Sequence, residues 1–166
     1  MRPGRLAAAM IVGLAIGLSA LSALAQSGDA ETTMPRFVSL RSNEVNVRAG
    51  PGPRYPIKWV FLQKDMPVEV VAEYDTWRKV RDWEGSEGWI HRAMLSSRRS
   101  IVVTGETRTI RREPSEGSPA VARLAPGLVA IIERCDASWC RVSAGGYDGW
   151  LPREGLWGLY PNEVLQ

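Results

Sequence analysis

The chain states one pattern twice, and that repetition limits the fold more than any other feature. The first copy reads Glu44-Val45-Asn46-Val47-Arg48, then Pro51 and Pro56, an apolar run Val68–Ala72, Trp77-Arg78-Lys79-Val80 and Gly88-Trp89-Ile90. The second reads Thr107-Arg108-Thr109-Ile110-Arg111, then Pro114 and Pro119, Val129–Ile132, Trp139-Cys140-Arg141-Val142 and Gly149-Trp150-Leu151. The spacing drifts only from 63 (Arg48 to Arg111) through 62 (Trp77 to Trp139) to 61 (Trp89 to Trp150). On this alignment Leu62 corresponds to Leu124.

Each copy is a series of short β-type runs cut by Gly, Pro and Asp. In the first copy the runs are Phe37–Leu40, Glu44–Val47, Ile57–Leu62, Val68–Tyr74, Trp77–Arg81 and Gly88–His91. No stretch after the leader sustains the 3.6-residue apolar period of a substantial helix. The expected class is therefore all-β, as two tandem copies of a small barrel or sandwich. The expected layout is 37–96 for the first domain, 97–160 for the second and 161–166 for a tail. Modules this small bury little core alone, so docking of the two copies is expected to stabilise both.

Residues 1–25 read as an export signal. Arg2 and Arg5 open it, an apolar run follows from Leu6, and Ala23-Leu24-Ala25 closes it with small residues at a cleavage site. The alternative is a retained membrane anchor, since the apolar stretch is about long enough to span a bilayer. Residues 26–36 form a polar lead-in. Without Arg2 and Arg5 the chain carries 19 basic and 18 acidic groups, so the overall basicity belongs largely to the leader. No basic run interleaved with aromatics is present, which argues against nucleic acid as a partner.

The segment Tyr74-Asp75-Thr76-Trp77 reads as a tight hairpin turn. Pairing Tyr74 with Trp77 sets Glu73 opposite Arg78 and Val71 opposite Val80. The same register in the second copy sets Cys135 opposite Cys140, within disulfide reach. These are the only two cysteines, and export favours their oxidation. Zinc is not expected: two cysteines do not complete a tetrahedral site, and the sole histidine, His91, lies in the other copy.

The run Val45-Asn46-Val47-Arg48-Ala49-Gly50-Pro51-Gly52, followed by Trp77-x-x-Val80 and Gly88-Trp89-Ile90, resembles the bacterial SH3-like (SH3b) family. The resemblance implies a small, mostly antiparallel barrel, export, and binding of cell-wall peptide, glycan or protein. The second copy departs from it at Arg112-Glu113-Pro114-Ser115, where the loop glycines are lost. Because glycine permits positive φ and close approach of a ligand, that loss puts a binding role for the second copy in doubt.

The candidate ligand-binding residues are Arg48, Gly50, Tyr55, Trp59 and Trp83. Trp59 and Trp83 have no counterpart in the second copy, whereas Trp77, Trp89, Trp139 and Trp150 recur and are expected to pack. Arg48 recurs as Arg111, which also suits a structural bond. The acidic residues Asp82, Glu84 and Glu87 read as a solvated loop. No catalytic residue, metal or cofactor is assigned: the sequence holds no nucleophile elbow, zinc-protease helix or phosphate loop. The expectation is a non-catalytic, periplasmic or secreted binding protein that recognises cell-wall material mainly through the first domain. No stable membrane anchor is expected after signal cleavage. The alternative is an envelope protein–protein adaptor using the tandem modules and the aromatic tail Trp157-Gly158-Leu159-Tyr160-Pro161.

Overall fold

A computed structural model describes residues 33–166. The expected signal segment, 1–25, lies outside the described residues.

Module 1 contains β1 (Arg36–Leu40), β2 (Val45–Arg48), β3 (Ile57–Phe61), β4 (Pro67–Tyr74), β5 (Trp77–Arg81) and β6 (Glu87–His91). A 3₁₀ turn, Arg92–Met94, then leads to β7 (Leu95–Ser96). Module 2 contains β8 (Ser100–Val103), β9 (Arg108–Arg111), β10 (Ala120–Leu124), β11 (Val129–Cys135), β12 (Trp139–Ala144), β13 (Tyr147–Pro152) and β14 (Leu156–Trp157). The two antiparallel sheets have the same order, β3-β2-β6-β5-β4-β1-β7 and β10-β9-β13-β12-β11-β8-β14. The sequence repeat is thus a repeat of topology, strand for strand. Alternation drives it: in β2, Val45 and Val47 are fully buried while Asn46 is exposed.

Two registers differ from the expected ones. Val80 pairs with Val70 rather than Val71, because a bulge at Val71 inserts one residue before the hairpin. The bulge recurs between Ile132 and Arg134. A bulge is invisible to a register counted outward from the turn. Likewise Val45 pairs with Phe61 and Arg108 with Leu124, so Phe61, not Leu62, is the counterpart of Leu124. Leu62 is 77% exposed.

The hairpin expectations hold nearer the turns. Tyr74 pairs with Trp77 and Glu73 with Arg78, with Asp75 at φ 50° as a two-residue turn of this hand requires. The Arg78 Nε lies 3.0 Å from Glu73 Oε1. Cys135 and Cys140 are paired and disulfide-bonded, with Cα atoms 4.1 Å apart. The next hairpin turns on Gly145 and Gly146, both at positive φ, where side chains would strain the backbone.

The modules are fused through β8, which is buried along its whole length. Ile101 and Val103 enter the core of module 2, whereas Val102 enters the core of module 1 beside Val68, Val70 and Leu95. Period-2 alternation lets one strand serve two cores. The tail completes the joint. Trp157 meets Phe37 edge-on at 4.8 Å, Tyr160 lies 4.7 Å from the same ring, and the Tyr160 hydroxyl donates to Glu69 Oε1 at 2.8 Å. Burial and the adjoining Glu69 carboxylate push the Tyr160 hydroxyl pKa well up. Glu163 holds Arg99 at 2.6 Å, and Leu165 exchanges backbone hydrogen bonds with Cys135. The tail aromatics are therefore turned onto module 1, not offered outward.

Candidate functional site

Module 1 carries a trough of about 230 Å³ on the outer side of its β2 strand, lined by Glu44, Asn46, Arg48, Trp77, His91 and Met94. The inward residues of β2, Val45 and Val47, hold the strand on the core, so Asn46 and Arg48 alternate to the other face. The opposite wall comes from the β5–β6 pair, where Trp77 and His91 are cross-strand partners. Their rings meet edge-on at 5.4 Å. His91 Nδ1 accepts the Ala93 N–H at 3.3 Å, which caps the 3₁₀ turn. A neutral His91 in this tautomer carries its proton on Nε2, as a donor.

β3 extends the trough into a shoulder. Val60 is the cross-strand partner of Asn46 and Ile57 that of Arg48, so both share the outer face. Tyr55, Ile57, Val60 and Leu62 are 48%, 47%, 37% and 77% exposed, an apolar row beside a polar channel.

The sequence candidates divide into two groups. Arg48, Gly50 and Tyr55 come together: Arg48 Nη1 donates to the Tyr55 carbonyl at 2.8 Å, and Tyr55 folds over Gly50. A Cβ on residue 50 would collide with the Tyr55 ring. Neither Gly50 nor Gly52 is among the positive-φ residues, so the expected backbone role of these glycines is corrected: Gly50 makes room for an aromatic ring. Trp59 and Trp83 lie elsewhere, half-buried against the core of module 1. Trp59 packs edge-on with Phe61 at 6.0 Å under the Lys58 ammonium.

The acidic loop is also more ordered than expected. Asp82 is 6% exposed, and its Oδ1 accepts from the Glu84 and Ser86 N–H groups. Glu87 has a lowered pKa, chiefly through its hydrogen bond with Lys79 and further through Arg81.

The recurring Trp77 is the aromatic in the trough, and the lack of duplication of Trp59 pointed away from it. Duplication marks a position the barrel needs; it does not mark which side of the strand faces solvent. The available signal was the alternation Glu44-Val45-Asn46-Val47-Arg48, which sets three polar side chains on one face.

The equivalent surface of module 2 has different chemistry. Thr107, Thr109 and Arg111 stand for Glu44, Asn46 and Arg48, Arg123 for Val60, Ala120 for Ile57, and Ser118 for Tyr55. Trp139 keeps the aromatic, but its partner is Pro152 where Trp77 has His91. Arg153, beside it, is held by the carbonyls of Asp136 and Tyr160.

The profile of the family described as Bacterial SH3 domain matches residues 41–97 and again 105–158. The chain belongs to the bacterial SH3 domain family. Both copies of the SH3 domain retain the same sheet order, so the divergence in module 2 leaves the topology intact. Over 126 residues the chain is 24% identical to the putative N-acetylmuramoyl-L-alanine amidase YrvJ of Bacillus subtilis (strain 168). That match covers 69% of this chain and 24% of the relative, so the chain spans about a quarter of the protein it resembles. Among solved structures, NlpC2 and NlpC1 from Trichomonas vaginalis are each 17% identical with a TM-score of 0.34. They match 74% and 76% of this chain and 48% and 47% of their own, too loosely to carry a functional argument. Among the described residues no helix is long and apolar enough to cross a membrane, and no cluster of residues suits a metal ion.

Proposed function

We propose that the protein is a non-catalytic binding protein of the bacterial envelope, periplasmic or secreted, that recognises cell-wall material through module 1. The observation that carries this reading is the difference between two copies of one barrel. Module 1 combines a polar channel, the Trp77 and His91 rings and an apolar shoulder. Module 2 keeps the barrel and replaces most of that chemistry.

A ligand with sugar faces and amide groups suits such a surface, because aromatic rings stack on apolar sugar faces while amides exchange hydrogen bonds with Asn46, Glu44 and His91. The relative's name specifies an N-acetylmuramoyl-L-alanine linkage, which joins a sugar to a peptide. We assign module 1 to the same class of material. Arg48 then sets the Gly50–Tyr55 loop beside the channel, Tyr55 contributes a contact, and Trp59 and Trp83 stay with the core of module 1. No residue of the trough is given a catalytic role.

The test is co-sedimentation of the chain from Gln26 onward with insoluble peptidoglycan. Trp77→Ala or Asn46→Arg should release the protein, while Trp139→Ala should leave it bound. A protein that stays in the supernatant at low salt, or that is released equally by Trp139→Ala, overturns the proposal. Asn46 is exposed, so its substitution does not disturb the fold.

A further inference from the structure

The β3 strand ends its sheet, and among the described residues β2 is its one strand partner. One flank of its backbone is therefore an open row of donors and acceptors, which is a template for another strand. The side chains at this edge are apolar and exposed: Ile57, Val60 and Leu62. The charge carried by β3 and the loop before it has one sign, and the carboxylates Glu44 and Asp65 bound that stretch. From Val45 to Lys64 the charged residues are Arg48, Arg54, Lys58 and Lys64, with no carboxylate among them. None of these four appears in an ion pair among the described residues; Arg48 Nη1 donates to the Tyr55 carbonyl and Lys58 Nζ to the Glu87 carbonyl at 2.7 Å, which leaves their charge unneutralised.

The matching edge in module 2 is guarded. There β10 carries Arg123 where β3 carries Val60, and the loop before it holds Glu113 and Glu116. Glu116 Oε2 lies 3.4 Å from Arg111 Nη2, which partly neutralises that loop. The two edges began as one pattern and now differ in both polarity and charge.

We propose that the open edge of β3 is a docking surface for an extended, acidic polypeptide segment of a partner protein, which joins the sheet as a further strand. Backbone hydrogen bonds supply the affinity, and alternate side chains of the partner meet Ile57 and Val60 on one face. Charge selects the occupant. A second copy of this chain would bring Lys58 against its own equivalent, and like charges across a strand pair oppose association. An acidic strand gains attraction from the same lysine. This surface lies along the strand edge and does not require the trough, so it stands or falls separately from cell-wall binding.

The experiment uses the chain from Gln26 onward and a short capped peptide alternating Glu and Val, with a Lys–Val peptide as control. The Glu–Val peptide should bind, more weakly as salt is raised, and should slow amide exchange within Ile57–Leu62 but not within Ala120–Leu124. Replacing Arg54, Lys58 and Lys64 together by Glu should weaken binding about tenfold. Where that triple change lowers the melting temperature, Lys58→Gln serves instead and should weaken binding about twofold to threefold. Failure of the Glu–Val peptide to bind, equal binding of the Lys–Val peptide, or protection of a strand other than β3 overturns the proposal. So does concentration-dependent self-association that protects β3 with no peptide present. Loss of peptidoglycan binding leaves it standing.

Discussion

Modules 1 and 2 share a sheet order and differ in what each does with its outer surface. The loop after β2 shows this most closely. In module 1 the Ala49 N–H donates to Pro56, Gly52 to Gly50 and Tyr55 to Gly52. In module 2 Arg112 donates to Pro119, Ser115 to Glu113 and Ser118 to Ser115. The two loops share this backbone bonding although the glycines are gone. What changed is a matched pair of side chains: Tyr55 over Gly50 in one, and Ser118 Oγ accepting the Glu113 N–H at 2.9 Å in the other. Loss of glycine therefore did not remodel the loop; it withdrew an exposed aromatic ring.

A second contrast lies at the joint. Leu40 and Val103 hold equivalent places against Leu95 and Leu156, which makes Ser39 and Ser96 the counterparts of Val102 and Trp157. Only the second copy has apolar residues there, and those residues enter the neighbouring core. The tandem arrangement is thus built into module 2, which lends Val102, Val129 and Trp157 to module 1.

The largest expected effect tests that joint. Val102→Asp places a carboxylate at a site with no solvent exposure and should cost about 4 kcal/mol or more. Because the residue serves module 1 from within module 2, thermal unfolding should lose both modules together. Separate transitions, with module 2 alone affected, would break the account of a shared strand.

Next is the pair of hairpin clasps. Replacing Cys135 and Cys140 by Ala should destabilise by about 2 kcal/mol, the loop-closure entropy of a very short loop. The Glu73–Arg78 pair lies nearer solvent and is shared with Arg36, so Glu73→Ala should cost under about 1 kcal/mol. Chemical denaturation of both variants compares the two clasps directly.

A smaller change sharpens the loop comparison. Gly50→Glu, the module 2 residue, should displace Tyr55 and cost about 1 kcal/mol. Adding Tyr55→Ser should recover most of that loss. A double-mutant cycle with no coupling would show that the matched pair is coincidence.

The smallest effects concern pH at the tail. The Arg99 guanidinium, then the Tyr160 N–H, hold the Glu163 carboxyl below its ordinary pKa. A lowered folded pKa means the stability is complete above the unfolded value and is lost as pH falls through the folded one. Tyr160 is shifted the opposite way, by burial first and Glu69 second. Its contribution is complete below its ordinary value near 10 and is lost as pH rises beyond it. Melting temperature should therefore decline at both extremes. Glu163→Gln should flatten the acid limb and Tyr160→Phe the alkaline one.

Much of the fold was legible because a repeated period-2 pattern leaves few alternatives. Val45 and Val47 flanking Asn46 set a strand with one buried face, and the hairpin residues set the Cys135–Cys140 register without any long-range information. The bulge at Val71 escaped because Val70 and Val71 are both apolar and either suits Val80, whereas at Glu133 an unbulged count sets a carboxylate opposite the buried Val142, a local signal of the bulge. The site was half legible. Arg48, Gly50 and Tyr55 fall within one loop, so local sequence brings them together. Trp77 and His91 reach the trough only when β5 and β6 pair and β6 docks on β2, at Arg48 opposite Trp89.

The sequence by itself determined two antiparallel copies, their clasps and the asymmetry of the loop, since each follows from residues near one another along the chain. The tertiary structure decided which aromatics face solvent, that the Trp157 and Tyr160 rings close onto Phe37, and that β8 is shared. Those outcomes depend on which of two apolar faces meets which core. A strand such as Ser-Ile-Val-Val, buried on both sides, leaves that choice to the packing of its neighbours.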